Sequence, residues 1–359
     1  MPIFEQRDQE QARRNLTAWL AIKLAGAADL SVAELGGPAA TGYSNETILF
    51  DASWRNGGTE RHEGFAVRVK PSTHTVFLES EFDTQYRVLK VLGDQTDVPV
   101  PPVRWYEEDE AVLGAPFFVM QRVGGQVPGD NPPYTMGGWP FEASVERQER
   151  LWWNGLDVMA RIHRLDWQSL GLGFLAKPER GPTGLDQQLT YYQAYFDWAA
   201  RDRPQPSVQA LWDWLLANRP EHDASRDALC WGDSRIGNMI FDEESAVRAV
   251  LEWEMVALGN PVQDLAWWLF LDRYLSEGCG APRLPGFPGR DATVARWEQL
   301  TGRSADHLGW YERWAAFRFG VVMIRLAQLL IHFELLPPDS DMERNNGATQ
   351  LIDELLVRA

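Results

Sequence analysis

Apolar residues recur along the first part of the chain with two different periods. Over residues 5–25, Leu16, Trp19, Leu20, Ile22 and Leu24 form one side between polar positions, a helical spacing that Gly26 ends. A loop follows, and a Gly-bearing segment over 35–50 passes into a β-type run. Asn56-Gly57-Gly58 then makes a turn before a second run at 64–70, so the pattern predicts a hairpin. Phe82, Tyr86, Leu89 and Leu92 place a helix over 77–93, which Pro99 to Pro102 stop, and 103–107 and 116–123 read as two more strands. From Gly124 to Pro140 the chain is rich in Gly, Pro and Asn, which marks a crossing between two lobes. Helical spacing takes over at 142–166, 186–200 and 207–217, interrupted by short β runs at 228–231, 239–241 and 247–253. A long amphipathic helix over 306–335 ends at Pro337-Pro338. The expected fold is α+β and bilobal, with a small antiparallel-sheet lobe over 1–124, led by a helix, and a larger, mainly helical lobe over 125–359.

Composition narrows what such a protein does. The 359 residues are 45% hydrophobic, 12% aromatic and 24% charged, too apolar and ring-rich for an extended polar chain. A formal net charge of −17 repels phosphate backbones and anionic bilayers, so neither nucleic acid nor membrane is an expected partner. Solubility is the plain reading of that acidity and a cationic small-molecule substrate the functional one. Cys230 and Cys279 are the two cysteines, which excludes a disulfide scaffold and a cysteine zinc site and suits a reducing compartment. The first residues lack the basic stretch and apolar run of a signal peptide, and no uncharged apolar stretch approaches a membrane span, so a cytoplasmic setting is expected. Lysine is scarce, with Lys23, Lys70, Lys90 and Lys177 standing against 30 Arg. Any reaction that needs a lysine has few candidates here.

Candidate chemistry concentrates between 229 and 270. Leu229-Cys230-Trp231-Gly232-Asp233-Ser234-Arg235-Ile236-Gly237-Asn238-Met239-Ile240-Phe241 sets an Asp and an Asn five positions apart on a loop between two short apolar strands. Such a loop can aim a carboxylate at a substrate hydroxyl and an amide oxygen at a metal. Val250-Leu251-Glu252-Trp253-Glu254 follows, an acid delivered by one more strand. Gly259-Asn260-Pro261-Val262-Gln263-Asp264-Leu265-Ala266 then opens a helix. The Asp-x4-Asn pair alone is a weak signal, and the ordered series around it is what carries weight.

In that order and spacing the chain resembles the aminoglycoside phosphotransferase-like kinases, relatives of protein kinases. It is most similar to the branch whose loop reads Gly-Asp-x-Arg-x-Gly-Asn, also met as a kinase-like domain of some acyl-CoA dehydrogenases. The resemblance implies a Mg²⁺- and ATP-dependent kinase that moves the γ-phosphoryl group to a hydroxyl of a small molecule. Its rival is a nucleotide-binding pseudokinase without turnover, suggested by three departures: Trp231 for the usual His, Glu252 for the usual Asp, and Gln85 for the usual Glu. The resemblance makes Asp233 the catalytic base, sets Arg235 against the transferring phosphoryl group, and gives the metal to Asn238 and Glu252, with Glu254 as the substitute ligand.

In the small lobe, Gly42-Tyr43-Ser44-Asn45-Glu46-Thr47 resembles the turn that covers the phosphates, which puts Ser44, Asn45 and Thr47 at the nucleotide. Arg68 is the expected clamp on the α/β-phosphates, with Lys70 on the same strand face as second choice. The resemblance puts the partner acid of that clamp on the 77–93 helix, where Gln85 stands for the usual Glu and Glu81, one helical turn earlier, could replace it. Backbone at Gln121 and Val123 is expected to bind adenine, with Phe118 and Met120 in the core. The resemblance leaves Asp264 as a buried brace of the catalytic loop, His163 as a structural hydrogen-bonding residue, and Trp267-Trp268 as packing.

Overall fold

A computed structural model describes residues 7–37, 46–71 and 75–357. Helix α1 (Gln9–Lys23) begins where the Asp8 carboxylate accepts from the Gln11 N–H, closing one of the open donors of the first turn. Strand β1 (Ala28–Val32) follows, where the hydrophobic pattern left a loop. Only Val32 of its five residues is buried, so it carries no alternation to read, and pairing with the next strand is what forms it. Strands β2 (Glu46–Asn56) and β3 (Thr59–Val69) make the expected hairpin. Asn56 lies opposite Thr59, and Gly57 and Gly58, with φ of 57° and 84°, turn the chain in two residues. Helix α2 (Phe82–Gln95), β4 (Val103–Glu107), α3 (Glu110–Leu113) and β5 (Phe117–Gln121) complete this lobe.

Among the described residues these strands form one antiparallel sheet in the order β1-β2-β3-β5-β4. Its two faces have different partners. Ile48, Phe50, Trp54, Phe65 and Val67 pack with Leu16, Trp19 and Leu20 of α1. On the other face Phe118 and Met120 join Phe82, Val88 and Leu89 of α2 in the core that continues into the second lobe. Strand β5 is covered on both faces, which is why it reads as an unbroken apolar run.

The second lobe runs α4 (Trp139–Glu142), α5 (Val145–His163), α6 (Gly184–Ala200), α7 (Pro206–Ala217), β6 (Ala228–Cys230), β7 (Met239–Phe241), β8 (Val247–Val250), β9 (Ala257–Gly259), α8 (Val262–Ser276), α9 (Arg290–Thr301), α10 (Leu308–His332) and α11 (Gly347–Val357). Strand β6 pairs with β9 and β7 with β8. The strand expected over 247–253 stops at Val250, because Glu252 adopts a left-handed φ of 54° that breaks any ladder. Helix α10 is long and apolar enough to cross a membrane by length and composition, yet 67% of its most apolar stretch is buried, against α6, α7, α8 and α11. Its apolarity is that of a core helix.

The lobes meet through backbone as well as side chains. Gln126 and Phe241 exchange two N–H···O bonds of 2.8 Å, and the Val250 N–H donates to the Pro99 carbonyl at 2.8 Å. Strands β7 and β8 are thereby tied to the start of the crossing at Gln126 and to the first lobe at Pro99.

Candidate active site

Strand β6 delivers Trp231 and Gly232 to a loop whose conformation is set by one buried carboxylate. Asp264, in the first turn of α8 and fully buried, accepts from the Trp231 N–H at 2.6 Å and the Gly232 N–H at 3.0 Å. Its main-chain carbonyl accepts from Ser234 Oγ at 2.7 Å. His163 Nε2 bonds the same carboxylate at 3.0 Å, and His163 Nδ1 accepts from Trp297 Nε1 at 3.0 Å. An indole N–H can only donate, so Nδ1 carries the lone pair and Nε2 the proton. The expected brace and the structural histidine are thus one network. Gly232, at φ 94°, is required here, since a Cβ would come within 2.0 Å of the Met255 carbonyl.

The loop presents Asp233 half-buried. Oδ2 accepts from Asn238 Nδ2 at 2.6 Å, Oδ1 accepts from Trp267 Nε1 at 2.8 Å, and Arg235 Nε lies 3.3 Å from Oδ1. Arg235 also reaches Asp130 of the interlobe crossing at 2.5 Å. Burial would lower its pKa, but the charges of Asp130 and then Asp233 prevail and hold the guanidinium well above its usual range. An added Cβ at Gly237 would strike the Arg235 guanidinium at 2.5 Å and Asp130 at 2.9 Å, which gives that glycine its reason. Asn238 also donates through Nδ2 to the Asp233 carbonyl at 3.0 Å, so its amide oxygen is the atom left for a cation.

The opposite wall is charged. Arg68 and Thr47 are paired residues of β3 and β2, and Arg68 Nη1 donates to Thr47 Oγ1 at 3.3 Å. The guanidinium grips Glu252 with both nitrogens, at 2.6 and 2.8 Å, and reaches Glu254 at 2.9 Å. Burial works against the charge on Arg68, yet Glu252 and then Glu254 hold its pKa above the usual value. Burial likewise works against the Glu252 carboxylate, and Arg68 pulls its pKa down. Trp231 explains the left-handed turn at Glu252. Its indole Nε1 donates to the carbonyls of Leu251 at 2.8 Å and Glu252 at 3.1 Å, so the residue that departs from the family keeps a ring N–H donor. The Leu251 N–H donates to the Asn238 carbonyl at 2.8 Å, which makes the two metal-ligand candidates neighbours.

The structure corrects one expectation here. The acids that Arg68 meets come from 252–254 and not from α2. Gln85 is buried in α2, and Glu81 is held by Thr84 Oγ1 at 2.6 Å and Lys177 at 3.5 Å. Of Arg68 and Lys70, Arg68 is the one that meets the 252–254 segment. At the crossing, Gln121 donates its N–H to the Pro102 carbonyl at 2.9 Å, and Val123 follows half-buried where the chain leaves the sheet. Ser44 and Asn45 lie outside the described residues. Sequence reasoning missed Asp130 and Trp267, because what matters in each is one contact made across more than thirty residues.

The donor set around Asn238, Glu252 and Glu254 is all oxygen, the hard kind that Mg²⁺ takes. Among the described residues no group of three or more His, Cys, Asp or Glu makes a closed metal cage.

The profile of the phosphotransferase enzyme family matches residues 38–291, and the chain belongs to that family. Its fold is the bilobal one of that family. Among solved structures, one from Ralstonia eutropha assigned as an aminoglycoside phosphotransferase aligns with TM-score 0.69 at 24% identity, covering 96% of this chain and 98% of the other. A macrolide 2'-phosphotransferase type I aligns with TM-score 0.56 at 15% identity, over 92% and 97%. A thermostable aminoglycoside phosphotransferase APH(4)-Ia in ternary complex with AMP-PNP and hygromycin B aligns with TM-score 0.52 at 16% identity, over 96% and 98%. Among curated proteins, acyl-CoA dehydrogenase family member 11 of Gallus gallus is 32% identical over 228 residues, which are 63% of this chain and 26% of the relative. Family member 10 of Mus musculus is 32% identical over the same share of this chain and 20% of its own length. The chain thus spans about a quarter or less of these two relatives.

Proposed function

We propose that the protein is a Mg²⁺- and ATP-dependent kinase that phosphorylates a hydroxyl group of a small molecule. The observation that supports this most directly is the carboxylate of Asp233, held by a donor on each oxygen and flanked by Arg235 and Asn238. The substrate hydroxyl approaches Asp233, which orients it and accepts its proton. The hydroxyl oxygen bonds to the γ-phosphorus as the bond to the β–γ bridging oxygen breaks, and ADP leaves. Arg235 supplies positive charge beside the transferring group. Arg68 and Thr47 face the α/β-phosphates, and phosphate oxygens replace the carboxylates that Arg68 now holds. Asn238 and Glu252 would hold Mg²⁺, whose chemistry is to neutralise phosphate charge during transfer. Gln121 and Val123 offer backbone groups to adenine.

A complex of a fold relative with AMP-PNP and hygromycin B supports both a nucleoside triphosphate and a small hydroxyl acceptor. The dehydrogenase names belong to relatives of which this chain matches a minor part. The presence of both Asp233 and Asn238 favours the kinase over a pseudokinase, and Trp231, one of the three departures, still supplies a ring N–H to the carbonyls of Leu251 and Glu252. The test is Asp233→Asn, expected to keep ATP binding while lowering kcat by more than about 10²-fold. Full turnover in that variant would remove Asp233 from the mechanism. ADP release screened over aminoglycosides, choline-like amines, sugars and hydroxyacyl thioesters identifies the acceptor class.

A further inference from the structure

Trp267 sits three residues after Asp264 on α8, so one helix carries both the brace of the catalytic loop and the group that touches the base. Its indole is buried, yet its one polar atom is spent on the catalytic carboxylate, at 2.8 Å from Asp233 Oδ1. The ring itself is held in place. Arg318 of α10, almost fully buried, lies with its guanidinium 4.7 Å from the Trp267 ring centre and donates through Nη2 to the Gly232 carbonyl at 3.2 Å. Phe319 meets the same indole edge-on at 6.0 Å. Trp268 beside it packs in the core against Trp152, whereas Trp267 gives its N–H to the Asp233 carboxylate.

We infer that Trp267 is a positioning residue for phosphoryl transfer: its indole N–H fixes one oxygen of Asp233 so that the carboxylate faces the acceptor hydroxyl, and Arg318 fixes the indole. Asn238 holds the other oxygen, so the carboxylate cannot rotate without breaking one of two bonds. This rests on the reading of Asp233 as the base.

Two substitutions separate donor from filler. Trp267→Phe keeps most of the ring volume and loses the N–H. Trp267→His keeps less volume, but its five-membered ring places Nε2 where the indole has Nε1. With ADP release from Mg-ATP and water as acceptor, Trp267→Phe is expected to lower kcat about tenfold, with KM for ATP and ADP affinity within about twofold. Trp267→His is expected to turn over faster than Trp267→Phe although it unfolds at a lower temperature. Adding Trp267→Phe to Asp233→Asn should cost nothing more. The opposite ranking, with phenylalanine the more active, overturns the inference, as does an additive loss in the double variant. Full turnover in Asp233→Asn would instead unseat the base. Independently of turnover, the indole N–H resonance missing from Trp267→Phe should be the one displaced most by Asp233→Asn, or, if that variant does not fold, the one displaced most by Arg318→Met. A resonance unmoved by either substitution overturns the contact.

Discussion

Asp264 and Arg68 each hold one wall of the active site, and they do so with opposite chemistry. Asp264 is fully buried and accepts from two backbone N–H groups and from His163, whose far nitrogen is in turn fixed by Trp297. Every donor in that set belongs to the protein, and no ligand has a place in it. Arg68 is held by two carboxylates, Glu252 and Glu254, both on a segment that the family uses for metal. In the proposed reaction phosphate takes the place of these carboxylates on Arg68, and the cation takes the place of Arg68 on the carboxylates. On the proposed reaction the catalytic loop is built before binding, whereas the clamp exchanges partners during it. The comparison teaches that preorganisation and responsiveness occupy neighbouring segments because they use different interactions: hydrogen bonds with fixed geometry in one, redistributable charge in the other.

Breaking the first wall should have the largest effect. Asp264→Ala strands two buried backbone donors and the His163 N–H, and is expected to cost on the order of 3 kcal/mol in urea unfolding together with nearly all turnover. A loss below about 1 kcal/mol would mean that the loop is held by something else. Breaking the second wall should hit binding above all, although it also removes the cation that Glu252 and Glu254 share. Arg68→Ala is expected to weaken ATP binding by about tenfold or more in calorimetric titration, with Lys70→Ala within about twofold. The reverse ranking would move the clamp two residues on, just past the end of β3.

The contrast is sharpened by the two glutamates. Glu252→Gln is expected to raise the Mg²⁺ concentration for half-maximal turnover about tenfold, and Glu254→Gln to raise it less. An unchanged requirement in the first variant and a raised one in the second would hand the ligand role to Glu254. The smallest effect should come from the residue that joins the walls. Trp231→Phe removes the N–H given to the carbonyls of Leu251 and Glu252, and about 1 kcal/mol of stability is the expected loss. Thermal unfolding measures it, and a gain in stability would show that the bond is not needed for the left-handed turn.

The sequence by itself determined the class of fold, most of the elements and the identity of the chemical groups. The β2–β3 hairpin, helices α1, α2, α5 and α10 and the catalytic loop were legible because period, turn glycines and motif spacing are local properties, written within a few residues of where they act. Asp264 and His163 were legible as buried braces for the same reason, each lying inside a short motif. Strand β1 was not, since a strand with one buried residue has no alternation to read, and neither was the early end of β8, where a non-glycine residue takes a left-handed turn. Only the tertiary structure decided which charges meet. Arg68 and Glu252 are 184 positions apart, and nothing in either strand distinguishes an acid on α2 from an acid beyond β8 as the partner. Trp267 shows the same limit in one side chain. Its apolar ring follows from the helix pattern, but whether its N–H points at a core wall or at a catalytic carboxylate depends on how α8 packs against the loop, which is a property of the whole fold.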